Sequence, residues 1–224
     1  MNQDLLHGGA LDHMRKAFPD APAPWIDLST GINPWPYPIG EVPLSVFHHL
    51  PTQAAYESCR VAMSQTFGAP RENLLISPGS ELLIRLLPDV LSPDRIAVLS
   101  PTYSDHARVW LSSDCGVILT DDPLTMAEET DAIVLCNPNN PDGRRFDPTD
   151  LMATAERLTA RGGWLIVDEA YADLEPELSI ARCADQNNLI VLRSFGKFFG
   201  LAGVRLGALI ASPSICASLS ERLG

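Results

Sequence analysis

Lys197 stands in the run Arg193-Ser194-Phe195-Gly196-Lys197-Phe198-Phe199-Gly200, one amine set among glycines and aromatic rings. Of the 16 basic residues only Lys16 and Lys197 are lysines, and the rest are arginines. An amine with apolar neighbours is more readily held neutral, which is the form that attacks a carbonyl carbon to make a Schiff base. A nucleotide phosphate loop is excluded, because the glycine required five positions before Gly196 is replaced by Val191. Ser194 and Arg205 flank the lysine with a hydroxyl and a guanidinium, both suited to a phosphate group.

Three further clusters end β-like runs. Trp164-Leu-Ile-Val-Asp168-Glu169-Ala170-Tyr171 places a carboxylate where a buried strand runs out. Such a group is costly unless a cation or several donors meet it, as in a helix cap, a buried ion pair or a cofactor site. Ile76-Ser77-Pro78-Gly79-Ser80-Glu81 reads as a strand, a turn and a helix start whose free N–H groups can hold a phosphate. Asn137-Pro138-Asn139-Asn140-Pro141-Asp142-Gly143 offers side-chain amides in a proline-fixed turn. His48-His49 has no acidic partner at ligand spacing, so no metal site is expected.

These clusters need elements to carry them. Runs rich in Val, Ile and Leu predict strands at 73–77, 95–100, 116–120, 132–136, 164–168, 189–193 and 206–211, mostly apolar throughout as in strands covered on both faces. Helical segments are predicted at 53–66, 81–91, 104–111 and 148–161, the last opened by Asp147-Pro148 as cap and first-turn proline. Alternating strands and helices imply an α/β fold with a seven-stranded, mainly parallel sheet and flanking helices. In such sheets ligands sit beyond the carboxyl ends of the strands, where the four clusters lie. A short first helix, Leu11 to Phe18, carries Lys16 as a solvated position, and five prolines between Pro19 and Pro36 mark an extended arm. The expected organisation is a helix and arm over 1–36, a large domain over 37–212, and at 213–224 the start of a helix leading to a small domain outside the chain.

Composition sets the outer limits. The 224 residues are 46% hydrophobic and carry a net charge of −12, which disfavours nucleic acid and anionic membrane surfaces as partners. No apolar run approaches a membrane span, and the polar, acidic opening to Asp12 does not read as a secretory leader. The five cysteines, 59, 115, 136, 183 and 216, form no C-x-x-C pair. They read as buried structural thiols in a reducing cytoplasm, with Cys136 a small hydrophobe ending its strand.

Together the four motifs, in this order on successive strand ends, resemble the fold-type I enzymes that use pyridoxal 5'-phosphate (PLP), within the histidinol-phosphate aminotransferase-like branch, from about Trp25 onward. The resemblance implies that Lys197 binds the cofactor covalently and later moves a proton at the substrate carbons. Asp168 is then the partner of the pyridine nitrogen, and Asn140 and Tyr171 hydrogen-bond the phenolic oxygen. By the same likeness Tyr103 stacks on the ring, while Ser194, Arg205 and the turn at Gly79, Ser80 and Glu81 hold the phosphate.

His7-Gly8-Gly9 followed by Ile26-Asp27-Leu28-Ser29-Thr30-Gly31-Ile32-Asn33-Pro34 is similar to the threonine-phosphate decarboxylases of cobalamin biosynthesis. That likeness implies a small phosphorylated amino-acid substrate, met by His7, Gly8, Gly31 and Asn33, and a homodimer; His7 reads equally as a surface residue. Leu50-Pro51 stands where the transaminases usually carry Tyr-Pro, Asp142 where threonine is usual and Gly196 where serine is common. Decarboxylation of O-phospho-L-threonine is the leading expectation. Transamination of a phosphorylated amino acid and a non-catalytic remnant are the alternatives.

Overall fold

The computed structural model describes residues 8–224. Its centre is one seven-stranded sheet built from β1 (Leu74–Ser77), β2 (Arg95–Leu99), β3 (Gly116–Thr120), β4 (Ala132–Cys136), β5 (Trp164–Asp168), β6 (Leu189–Ser194) and β7 (Gly207–Ile210), in the order β1-β7-β6-β5-β4-β2-β3. All neighbours pair in parallel except β7, which runs antiparallel to both β1 and β6. The helices are α1 (Leu11–Ala17), α2 (Gln53–Phe67), α3 (Ser80–Leu91), α4 (Ser104–Leu111), α5 (Pro148–Thr159) and α6 (Pro213–Leu223).

Side chains alternate across the central strands into two apolar layers. Ile133 and Leu135, Leu165 and Val167, and Leu189 and Val191 face a layer closed by Met63 of α2 and Leu151, Ala155 and Leu158 of α5. Val134, Ile166, Ile190 and Leu192 face the opposite layer, closed by Leu83, Ile84 and Leu87 of α3, Trp110 of α4 and Leu219 of α6. Strands clad on both faces need no polar alternation, which is why these runs are apolar throughout. The exception is β3, the sheet edge, where the burial is only partial.

Local chemistry fixes the helix ends. Thr52 caps α2 by accepting from the Ala55 N–H, and Gly68 ends it in the left-handed region. Asp147 accepts from the Thr149 N–H, with Pro148 opening α5 as read from the sequence. Pro19 to Pro36 contains no helix or strand, and its far end lies on the lysine loop. Asn33 donates its backbone N–H to Lys197 O and its side-chain Nδ2–H to Phe198 O, while the Tyr37 N–H meets Phe199 O. Among the described residues no helix is long and apolar enough to cross a membrane.

Candidate active site

The carboxyl ends of β4, β5 and β6 open into one cavity, as parallel strand topology requires of a ligand site. Gly79, Ser80, Glu81, Tyr103, Asn140, Asp168, Tyr171, Ser194, Lys197 and Arg205 all line it. They come from six separate stretches of chain and meet because β5 sits between β4 and β6 and α3 starts beside β7.

Asp168 ends β5 at the floor and is 5% exposed. Its Oδ1 accepts from the Ala170 N–H at 3.0 Å, and its Oδ2 lies 2.9 Å from Nε2 of His106, itself 1% exposed on α4. Burial alone would push the imidazole down, but Cys136 and the Asp168 carboxylate beside it outweigh burial and push it up to about 10. Asp168 is therefore braced from two sides, by the Ala170 N–H and by His106, and lines the cavity. Cys136 pairs in register with Asp168 across β4 and β5, and its thiol lines the cavity 3.2 Å from the Thr102 hydroxyl. That hydroxyl donates to Asn139 Oδ1 at 2.7 Å. Cys136 is thus buried as the sequence suggests, yet it is a wall of the site and more than a core filler.

Lys197 sits in the loop after β6, half-buried, with Phe195 and Phe199 stacked behind it at 5.3 Å between ring centroids. Arg205 adopts the left-handed region at φ 53°, and Gly79 at φ 86° leaves room for it: a Cβ on Gly79 would lie 2.8 Å from Arg205 Nη2. The guanidinium, Ser194 and the start of α3 form a cup at one end of the cavity. Glu81 also faces the cup with its carboxylate, Oε2 lying 3.8 Å from Arg205 Nη2 and Oε1 2.8 Å from Arg85 Nη2. Tyr103 lies edge-on to His106, and burial first, then Asp105 and Glu81, push its phenol up to about 12. Burial likewise raises the Tyr171 phenol.

Of the four residues read from the sequence as substrate contacts, the three that are described do not gather in the cavity. His7 lies outside the described residues. Gly8 is packed on the Ser29 carbonyl and does not line the cavity. Gly31 reaches the rim, where a methyl group would overlap Tyr171 Oη. The Asn33 side chain is turned away, donating to Phe198 O and accepting the Trp35 N–H at 2.9 Å.

His106 is the main residue that sequence reasoning missed. It is packed on the helix after Tyr103, 62 residues from its carboxylate partner. His106, Cys136 and Asp168 bring three ligand-type atoms within 4.8 Å of one another, a cluster that no sequence spacing signals.

A three-layer α/β domain with a lysine, a braced aspartate and an arginine cup at the strand ends defines the class. The chain belongs to the aminotransferase class I and II family, which it matches over residues 45–223. More particularly, it is 40% identical to threonine-phosphate decarboxylases from Sinorhizobium sp. over 100% of this chain and 68% of that protein, and from Pseudomonas aeruginosa over 98% and 66%. Histidinol-phosphate aminotransferase 2 of Archaeoglobus fulgidus is 30% identical over 91% of this chain and 62% of its own length. The fold matches the crystal structures of the histidinol-phosphate aminotransferase from Clostridium acetobutylicum (TM-score 0.73, 18% identity, 88% of this chain and 63% of that one) and the L-threonine-O-3-phosphate decarboxylase from Porphyromonas gingivalis (0.65, 19%, 74% and 52%). The chain therefore spans about two thirds of its curated decarboxylase relatives and less of these solved structures.

Proposed function

We propose that this chain forms the cofactor-binding part of a PLP-dependent enzyme that decarboxylates O-phospho-L-threonine to aminopropanol phosphate, a step of cobalamin biosynthesis. The observation that carries the reading is the convergence of Lys197, Asp168 and Arg205 on one cavity, with a hydroxyl, two phenols and an amide between them. The donor set fits PLP: an amine for its aldehyde, a buried carboxylate for its ring nitrogen, and a cup for its phosphate whose Gly79 leaves the space a Cβ would fill. Bound there, the cofactor supplies an electron sink for the bond broken at the substrate α-carbon.

The protein's part is positional and electrostatic. Asp168 would pair with the pyridine nitrogen, and His106 orients that carboxylate through their 2.9 Å contact. Asn140 and Tyr171 meet the phenolic oxygen from the strand-end turns, and Tyr103 covers one side of the ring. Lys197 Nζ anchors the cofactor and delivers a proton to the α-carbon once carbon dioxide has left. Three hydrogen bonds from Asn33 and Tyr37 hold the backbone of the lysine loop, so the arm serves the site without touching the reacting bond.

Transamination would use the same residues, with Lys197 abstracting the α-proton instead. The higher identity to the decarboxylases, 40% against 30%, favours the first reading. A homodimer is read from the exposed apolar side chains of the arm and the segment after it, among them Leu28, Trp35, Leu44 and Leu50 at 75% exposure or more. The unpaired cysteines support a cytoplasmic location.

The test is carbon dioxide release from O-phospho-L-threonine with added PLP. Release that is lost in Lys197→Ala supports the reading. An oxo-acid acceptor requirement with no carbon dioxide would establish transamination in its place.

A further inference from the structure

We propose that the carboxylate of Glu81 is an internal competitor for the phosphate cup, which an incoming phosphate must displace from Arg205. The inference rests on the reading of this cavity as the PLP site and deepens it. Among the described residues, the guanidinium of Arg205 and the carboxylate of Glu81 face each other at the phosphate end of the cavity, 3.8 Å apart. A phosphate arriving there does not meet a bare cation. It meets an arginine already faced by an anion, in a site that is only half solvated, with 57% of the Arg205 side chain and 38% of Glu81 exposed.

The geometry also supplies the place to which Glu81 retreats. Its other oxygen is 2.8 Å from Arg85 Nη2, one helical turn along α3, and the same Arg85 nitrogen lies 3.5 Å from the buried Asp105. Glu81 thus lies between two guanidiniums, of which Arg85 is also held by Asp105. Arg205 itself has little freedom to follow, since its backbone is left-handed and its guanidinium lies against Gly79. Turning the carboxylate fully onto Arg85 keeps the ion pair it already has, gives up the 3.8 Å contact and leaves Arg205 to the phosphate. The bland alternative is that Glu81 only stabilises the start of α3 and pairs with Arg85 at i,i+4.

The two readings predict different things for phosphate than for the rest of the cofactor. Binding of PLP and of pyridoxal, which lacks the phosphate, is measured by absorbance titration on the whole chain. Glu81→Gln keeps the side-chain size and removes the charge, and PLP affinity should rise about tenfold, the effect of one charge a few ångströms away in a half-solvated site. Pyridoxal affinity should stay within about twofold. Arg85→Met removes the second guanidinium that holds Glu81 and should weaken PLP several-fold, again sparing pyridoxal. The double variant should match Glu81→Gln, because an amide has no charge for Arg85 to draw away. PLP affinity that is unchanged or lower in Glu81→Gln, or pyridoxal affinity that rises equally, overturns the proposal while leaving the cofactor site standing. Failure of the folded wild-type chain and Glu81→Gln alike to bind PLP overturns the site reading, and this inference with it.

Discussion

Replacing His106 by phenylalanine fills the same buried space but removes the 2.9 Å contact to Asp168 Oδ2. Asp168 would then keep the Ala170 N–H as its side-chain hydrogen-bond donor while remaining 5% exposed. Breaking a buried pair by deleting one partner costs about 3–5 kcal/mol. The raised imidazole, at about 10 against 6.5, implies a similar figure of about 4–5 kcal/mol at ~1.4 kcal/mol per unit. Because the folded value lies above the unfolded one, this stability is fully present below pH 6.5 and is lost as pH rises through about 10. The variant should therefore be destabilised by about 4 kcal/mol at pH 6 and by only ~1–2 kcal/mol at pH 9, the two curves converging from the wild-type side. Urea unfolding of both proteins at the two pH values measures the gap, and thermal melts at pH 6 should differ by roughly 8–16 °C for a chain of this size. A gap below ~1 kcal/mol at pH 6, less than breaking a buried pair costs, or one that is the same at pH 9, would show that His106 does not brace Asp168 as a charged partner.

Asp168→Asn should still take up PLP on the lysine but lose turnover by about 10²-fold or more, since an amide cannot keep the ring nitrogen protonated; steady-state rates on O-phospho-L-threonine check this. Gly31→Ala should displace the Tyr171 phenol it would overlap, lowering PLP affinity by spectral titration while the melting temperature stays within a few degrees. Gly207→Ala puts a Cβ into the backbone of Gly79 and Ser80, which cannot swing aside, so both stability and phosphate binding should fall, by about 2–4 kcal/mol in urea unfolding.

The sheet was legible because burial on both faces writes a strand as an unbroken apolar run. Gly116–Thr120, Ala132–Cys136 and Trp164–Asp168 are found at the residues read from the sequence, β1, β2 and β6 differ by one residue at one end, and β7 by one at each end. The ten residues expected to hold a cofactor line one cavity for a related reason: each lies at a strand end or in the turn beside one, and the topology gathers those ends. What was not legible depends on contacts between elements. The His106 imidazole meets Asp168 only because α4 packs on β2, β3 and α3, and nothing near His106 in the chain marks it. Asn33 carries a substrate-like signature, yet its side chain is spent on backbone groups of the lysine loop, an outcome set by where a proline-rich arm comes to rest. Glu81 was legible as part of a helix start but not as a charge opposing its neighbour Arg205, because the two are 124 residues apart and meet only across the β1–β7 pair.

The central claim, that Lys197 is the residue that takes the cofactor, has a direct test in a chain with only two lysines. The PLP-loaded protein is reduced with borohydride, digested, and the modified residue located by mass spectrometry. The account predicts one pyridoxyl group per chain, on Lys197 in the peptide that contains Phe198 and Phe199. A modification confined to Lys16 or the amino terminus, with Lys197 unmodified, would contradict it.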